Sequence, residues 1–330
     1  MSVPARYILH QGPVLRGLGE GAISVLRQRL GGPAQRPLEA PRVPGPEHHL
    51  VMAPRSPKLI GSFVRHVGGD PASYRRIVPA HLFPQWGLAL VPRVLAGLPY
   101  SLAKALNGGC QVEVRHPLPQ GQPLHVRARL ESIDDDGRRA VIQARIITGT
   151  ATRPDCIVAD LFVIVPLAKK DEKDKKSKGV KRERPRVPTH ARELSRYRLG
   201  TRAGLDFAKL TGDFNPIHWI PGAARATGFR NVILHGFGTM SRAWEGVIRN
   251  VYAGDPSRIT QWDCRFTRPL VLPAKVGLYV HDSPDADGAD GADGPNDEHR
   301  VYVGDAAGGP AYLVGHYGEH GLHDELGYER

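Results

Sequence analysis

One order of elements runs through this chain twice, and that repetition restricts its fold more than any single motif does. In the first half an apolar helical pattern from about Pro84 to Leu106 precedes the strand-like runs CQVEVRHPL, PLHVRARLESI, RRAVIQARIIT and CIVADLFVIVPL. The DDDG at 134–137 supplies a hairpin turn between two of them. In the second half LDFAKL predicts a short helix, a loop TGDFNPIH follows, and another helix begins near His235. There Phe237, Met240, Trp244, Val247 and Val251 recur at spacings of three and four, which marks one buried face. The runs TQWDCRFTRPL, AKVGLYVHD, HRVYVGD and PAYLVGHYG then read as strands. A long helix followed by a meander of long strands, twice over, predicts two copies of one α+β unit. HPLPQGQPLHV at 116–126 and TRPLVLPAKVGLYV at 267–280 read as the same strand–turn–strand corner in each copy. Residue-by-residue identity between the halves is weak, so the repeat is one of architecture.

A charge run separates the copies. From Lys169 to Arg186 there are ten Lys/Arg and four Asp/Glu, which accounts for half of the net charge of +12. Such a mixed run, ending in Pro, buries no apolar area and reads as a solvated linker. Since the basic excess is concentrated there without an aromatic-rich basic motif, nucleic acid is not expected as a partner. The chain of 330 residues then divides into an N-terminal extension (1–50), a first unit (51–168), the linker (169–190) and a second unit (191–330). In the extension only EGAISVLRQRL reads as a helix. The acidic insertion DSPDADGADGADGPNDEH interrupts the strands of the second unit. It lacks the ligand spacing and terminal Glu of a calcium loop, and reads as a hairpin insertion. No uncharged stretch approaches the roughly 18 apolar residues of a membrane span, and the N-terminus lacks a signal-peptide core. Three scattered cysteines, Cys110, Cys156 and Cys264, form neither a disulfide framework nor a metal spacing, so a reducing cytoplasm is the expected location.

Chemistry concentrates in TGDFNPIH (211–218) and ILHGFGTMS (233–241). Gly212 and Pro216 make the first a tight non-helical loop, in which Asp213 and Asn215 can act simply as turn-formers. On the residues alone that is the simpler reading. The sharper one places Asp213 and His218 around one water, because His exchanges protons near neutrality and an Asp beside it can take a proton or fix the ring. Asn215 would hold the loop. A metal site is disfavoured, because His235 is the only further ligand close in sequence. Gly236 stands at a helix start, where unpaired N–H groups carry partial positive charge and can hold a carbonyl oxygen as it gains negative charge. Its alternative role is clearance between helix and sheet. Ser241, a turn and a half further on, would face the same pocket.

TGDFNPIH followed by AARATGFRNVILHGFGTMSRA resembles the hydratase motif of MaoC-like and R-specific enoyl-CoA hydratases, with His235 twenty-two residues after Asp213. The resemblance covers about 40 residues and implies a double hot-dog α+β fold, each antiparallel sheet wrapped around a long central helix. Its first half would lack the catalytic motif. Carried over, it makes Asp213 and His218 the catalytic pair, Asn215 and Ser241 their supports and the Gly236 amide the oxyanion donor. His235, Arg225, Arg230 and Arg268 become substrate contacts. It implies R-specific interconversion of trans-2-enoyl and 3-hydroxyacyl thioesters of coenzyme A, with no metal and no cofactor beyond the substrate's own coenzyme. An acyl-carrier-protein-linked dehydratase and a non-catalytic acyl-thioester binder are the alternatives, and a homodimer is the expected assembly. Two departures stand out. Trp219 and Ile220 follow Pro-x-His where the family has His-x-Asp, and LVLPAKV follows Phe266-Thr267-Arg268-Pro269 where a Pro-Gly-Asp turn is usual.

Overall fold

Ten antiparallel strands form one continuous sheet in a palindromic order. The computed structural model describes residues 2–20, 41–102, 105–167, 184–281 and 299–318. In the first half the strands are β1 (His48–Met52), β2 (Leu106–Val114), β3 (Leu124–Asp135), β4 (Arg139–Gly149) and β5 (Ile157–Pro166). The second half adds β6 (Arg192–Leu199), β7 (Gln261–Phe266), β8 (Ala274–His281), β9 (His299–Gly304) and β10 (Ala311–Gly318). The spatial order is β1-β3-β4-β5-β2-β7-β10-β9-β8-β6. Replacing each strand by its counterpart in the other half reverses this order, so a pseudo-twofold axis runs between β2 and β7. Cys110 stands opposite Cys264 in that central ladder.

Alternation along the strands explains why one face is covered. In β4 the residues Ala140, Ile142, Ala144 and Ile146 are buried while their neighbours are half-exposed, the period-two pattern of a sheet solvated on one side. Past the N-terminal extension the helices are α1 (Pro57–Val67), α2 (Pro84–Gly87), α3 (Val91–Val94), α4 (Ala203–Thr211), α5 (Pro221–Ala226) and α6 (Gly236–Asn250). The long central helix α6 packs on β6, β9 and β10 and against α1. Phe237, Met240, Trp244 and Val247 on its apolar stripe are all buried, and the Trp244 ring stacks on Trp262 of β7 at 4.9 Å.

The single helix expected over Pro84–Leu106 is instead broken into α2 and α3. Pro92 has no N–H to donate, and its ring would clash with the carbonyl four residues back in a continuous helix. Proline instead sits in the first turn of each piece, where its missing donor costs least. The edge strands β1 and β6 have no counterpart among the strand-like runs of the sequence. Most of EGAISVLRQRL, the charged linker through residue 183 and the acidic insertion 282–298 lie outside the described residues.

The N-terminal segment, unremarkable as sequence, is tied to the second half. After a 3-10 turn at Ala5–Gln11 the chain is helical over 12–20. The Val3 N–H donates to the Asp206 carboxylate at 3.3 Å, and Lys209 Nζ donates back to the Val3 carbonyl at 2.9 Å. Gln11 Nε2 donates to the Lys209 and Leu210 carbonyls at 3.1 and 3.0 Å. These contacts occupy carbonyls at the end of α4 that the helix leaves unpaired, immediately before Gly212 and Asp213.

Candidate active site

Asp213 begins a loop whose path is fixed at both ends. Helix α4 stops at Gly212, whose φ of 85° is left-handed, a conformation that glycine enters without steric cost. Two residues later the Asn215 side chain accepts from the Ile217 N–H at 3.4 Å and caps the 3-10 turn Pro216–His218. The Asp213 carboxylate accepts from the Asn215 N–H at 3.3 Å. The turn-former reading of Asp213 and Asn215 therefore holds as local geometry, and it delivers His218 inward. Trp219 explains part of the departure from the family pattern: its indole N–H donates to the Phe214 carbonyl at 3.1 Å and closes the loop, while Trp219 and Ile220 stay partly exposed.

His218 is buried and its Nδ1–H donates to the Ile233 carbonyl at 2.9 Å. That tautomer leaves the Nε2 lone pair available. Burial lowers its pKa from the ordinary value, against a smaller opposing effect of the Asp213 carboxylate. His235 stacks on it with ring centroids 3.6 Å apart. The His235 Nε2–H donates to the Asp213 carbonyl at 2.9 Å, and the Asp213 carboxylate is 3.8 Å from the same nitrogen. Complete burial, then the neighbouring His218, push the His235 pKa down to about 3. Two neutral imidazoles thus lie beside one half-buried carboxylate.

Gly204 of α4 allows this packing, and no sequence pattern announced it. A Cβ there would lie 2.1 Å from the His218 carbonyl oxygen. His235 is also the N-cap of α6, so the Gly236 N–H belongs to the first turn of a helix, where no intrahelical acceptor exists. The space a Gly236 side chain would need is filled by the Phe266 ring, 2.5 Å from an ideal Cβ. Glycine at this position therefore serves packing as well as access to its amide.

Not every expected residue converges on this centre. Ser241 does not face the pair: its hydroxyl donates to Phe237 O at 2.7 Å, with His81 O at 3.5 Å, and points into the first half. A buried Ser early in a helix satisfies itself on the carbonyl four residues back, and the 3.6-residue turn then aims it away from the helix start. Arg268 Nη2 donates to the Arg184 and Pro185 carbonyls at 3.3 Å each and anchors the chain entering β6. Arg225 and Arg230 are exposed. A cavity of about 360 Å³ lined by β2, β4, β5, β7 and β10 includes none of the residues around Asp213.

The fold brings His235, the one further ligand close in sequence, within reach of the pair. Asp213, His218 and His235 each offer a ligand atom within 4.8 Å of the others, enough to begin a metal site. The hydrogen bonds leave that use open at His218, whose Nδ1 bond to a carbonyl is the usual support of a metal-bound imidazole, whereas a metal on His235 Nε2 would displace the proton held by the Asp213 carbonyl. The arrangement is suited to proton exchange at His218 Nε2 and the Asp213 carboxylate, beside a helix start suited to an oxyanion.

A palindromic ten-stranded sheet wrapped on a central helix, with a polar loop at that helix's start, defines a double hot-dog protein. Residues 180–293 match the family model described as MaoC like domain, so this part of the second half is similar to that family. Peroxisomal multifunctional enzyme type 2 of Mus musculus is 29% identical over 193 residues, 56% of this chain and 24% of that protein. The 3-hydroxyacyl-thioester dehydratase X of Mycobacterium tuberculosis is 26% identical over 182 residues, 55% of this chain and 61% of that protein. The chain thus spans less than two thirds of the length of these relatives. The crystal structure of HtdX from M. tuberculosis superimposes with a TM-score of 0.62 at 20% identity, covering 83% of this chain and all of that one. A further M. tuberculosis protein described as having a double hotdog fold gives 0.54 at 12% identity, over 84% of this chain and 96% of that one.

Proposed function

We propose that the chain is a hydro-lyase that interconverts trans-2-enoyl and (R)-3-hydroxyacyl thioesters of coenzyme A at the Asp213–His218 centre. The observation that carries the reading is the juxtaposition of a His218 Nε2 lone pair, the Asp213 carboxylate and the start of α6. Related proteins named as thioester dehydratases and enoyl-CoA hydratases support the substrate class. In hydration, a water held between Asp213 and His218 loses a proton to this pair as its oxygen bonds to the β-carbon. The electron pair of the double bond moves toward the thioester carbonyl, and the Gly236 N–H and the helix dipole hold the resulting enolate oxygen. The pair then returns a proton to the α-carbon. Dehydration runs the same steps backwards through the same groups. His235, neutral and donating to the Asp213 carbonyl, positions both members of the pair.

Asn215 holds the loop in this reading, and Arg225 and Arg230 are the candidates for contact with anionic groups of the substrate. A coenzyme A thioester is preferred to an acyl-carrier-protein thioester on the names of the relatives, and a homodimer is part of the proposal. Among the described residues no helix is long and apolar enough to cross a membrane. All three cysteines are free and buried, in keeping with the reducing cytoplasm proposed for it. The test is direct: purified protein is mixed with crotonyl-CoA and longer trans-2-enoyl-CoA thioesters, and the product is resolved by chirality. Formation of the (R)-3-hydroxyacyl thioester is expected. Failure to hydrate any enoyl thioester, on coenzyme A or on a carrier protein, overturns the reading. A metal-dependent hydratase is the second reading, favoured by the three-ligand cluster; full activity after dialysis against a strong chelator excludes it.

A further inference from the structure

The pseudo-twofold axis gives the Asp213 loop a counterpart in the first half. Helix α1 ends at Gly68 with a φ of 97°, as α4 ends at Gly212 with 85°. Asp70 then caps the 3-10 turn Pro71–Tyr74 by accepting from the Ala72 N–H, as Asn215 caps Pro216–His218. His81-Leu82-Phe83 precedes α2 as His235-Gly236-Phe237 opens α6, and the two phenylalanines meet edge to face at 5.4 Å. Tyr74, last in its turn, packs its ring against His81, as His218, last in its turn, stacks on His235.

The acid is what the first half lacks. The residue after the helix-ending glycine is Asp213 in one copy and Gly69 in the other. The vacancy is filled from across the axis. Glu245 of α6 places its carboxylate Oε2 2.2 Å from where a Gly69 Cβ would lie, and its Oε1 3.1 Å from His81 Nε2. Both side chains are almost wholly buried, His81 at 0% and Glu245 at 2% exposure, with His81 held between the rings of Phe63 and Trp244. Tyr74 Oη, both His81 ring nitrogens and Glu245 Oε1 are buried there without a well-formed hydrogen bond among the described residues, so the His81–Glu245 approach is one of distance. A crevice of about 30 Å³ adjoins them, walled by Tyr74 and Trp244.

We infer that the first half keeps a degenerate second copy of the Asp–His–His centre, closed by Glu245, which supplies the carboxylate its own loop lacks. The closed copy is a carboxylate-binding site whose ligand is built into the chain. Two polar groups buried against each other are kept only as a pair, and removing one leaves the other without compensation for its burial. With the Glu245 side chain removed, the position accepts a small free carboxylate. It also accepts a carboxylate offered from residue 69, the counterpart of Asp213.

The test combines Glu245→Ala and Gly69→Asp, with Tm as the readout. Gly69→Asp alone should lower Tm, because its Cβ meets the Glu245 carboxylate. Glu245→Ala should lower it as well, and sodium acetate should then raise the variant's Tm saturably while leaving wild type unmoved at equal ionic strength. In the double variant Gly69→Asp should restore stability to Glu245→Ala rather than add to its loss. Should Glu245→Ala alone fail to fold, recovery of folded double variant supports the inference equally. Additive losses in the double variant, with no acetate-specific rise, overturn it. So does a double variant that fails to fold wherever the single one fails.

Discussion

At the scale of the residue, the centre reduces to which nitrogen of which histidine holds a proton. The carbonyl of Ile233 fixes the proton of His218 on Nδ1, and burial keeps the ring neutral below the ordinary histidine range. If His218 acts as a base, activity should survive acidification further than a free imidazole would. We expect the acidic limb of the kcat/KM profile to have its midpoint below 6.5, the ordinary histidine value. A limb at or above 6.5 would assign the rate-controlling titration elsewhere. Asp213, Asn215, His218, His235 and Gly236 could be read in the sequence because one loop and one helix start hold them within 24 residues. Gly204 could not, because its importance is contact with the His218 carbonyl from another helix. Ser241 was misplaced because spacing along a helix gives a face but not which half of the molecule that face meets.

At the scale of the element, α6 and α4 do different work. The stripe of α6 carries stability: Trp244 is buried and stacked on Trp262, so Trp244→Ala should cost about 3–5 kcal/mol in urea unfolding. Helix α4 carries position. Gly204→Ala forces a methyl group against the His218 carbonyl and should lower kcat by more than tenfold, a 1 Å displacement being able to cost about 10² in rate. Unchanged kcat in that variant would show that the loop is not held by this contact. The α6 stripe and the central strands were legible because their periods, 3.6 and 2, are strong over many residues. The edge strands β1 and β6 were not, since β6 carries four charged residues in eight, RELSRYRL, as edges open to solvent commonly do.

At the scale of the whole molecule, the two halves share one sheet and a buried polar seam. His235 and His66 have pKa values lowered to about 3, in each case by burial first. Both lie below the unfolded value of 6.5, so the unfolded chain binds these protons more readily. The corresponding stability is present above pH 6.5 and is lost as the pH falls from there toward 3, by up to about 1.4 kcal/mol per pH unit for each histidine. Urea midpoints measured from pH 7 to 4 should fall accordingly, and His66→Gln should flatten the slope. A midpoint independent of pH over that range would contradict the burial of neutral rings. The repeat itself was visible in the order of helix and strands, but its exact palindrome was not, because pairing across β2 and β7 joins residues about 150 apart in sequence, such as Cys110 and Cys264.

The central claim is that Asp213 and His218 together perform the proton transfers of thioester hydration. Rates of crotonyl-CoA hydration by wild type, Asp213→Asn and His218→Gln, each shown folded by its unfolding transition, measure it most directly. Each variant should lose about 10²–10⁴ in kcat, with KM changed far less. If wild type is active and either variant keeps its full kcat, the pair is not the catalytic centre.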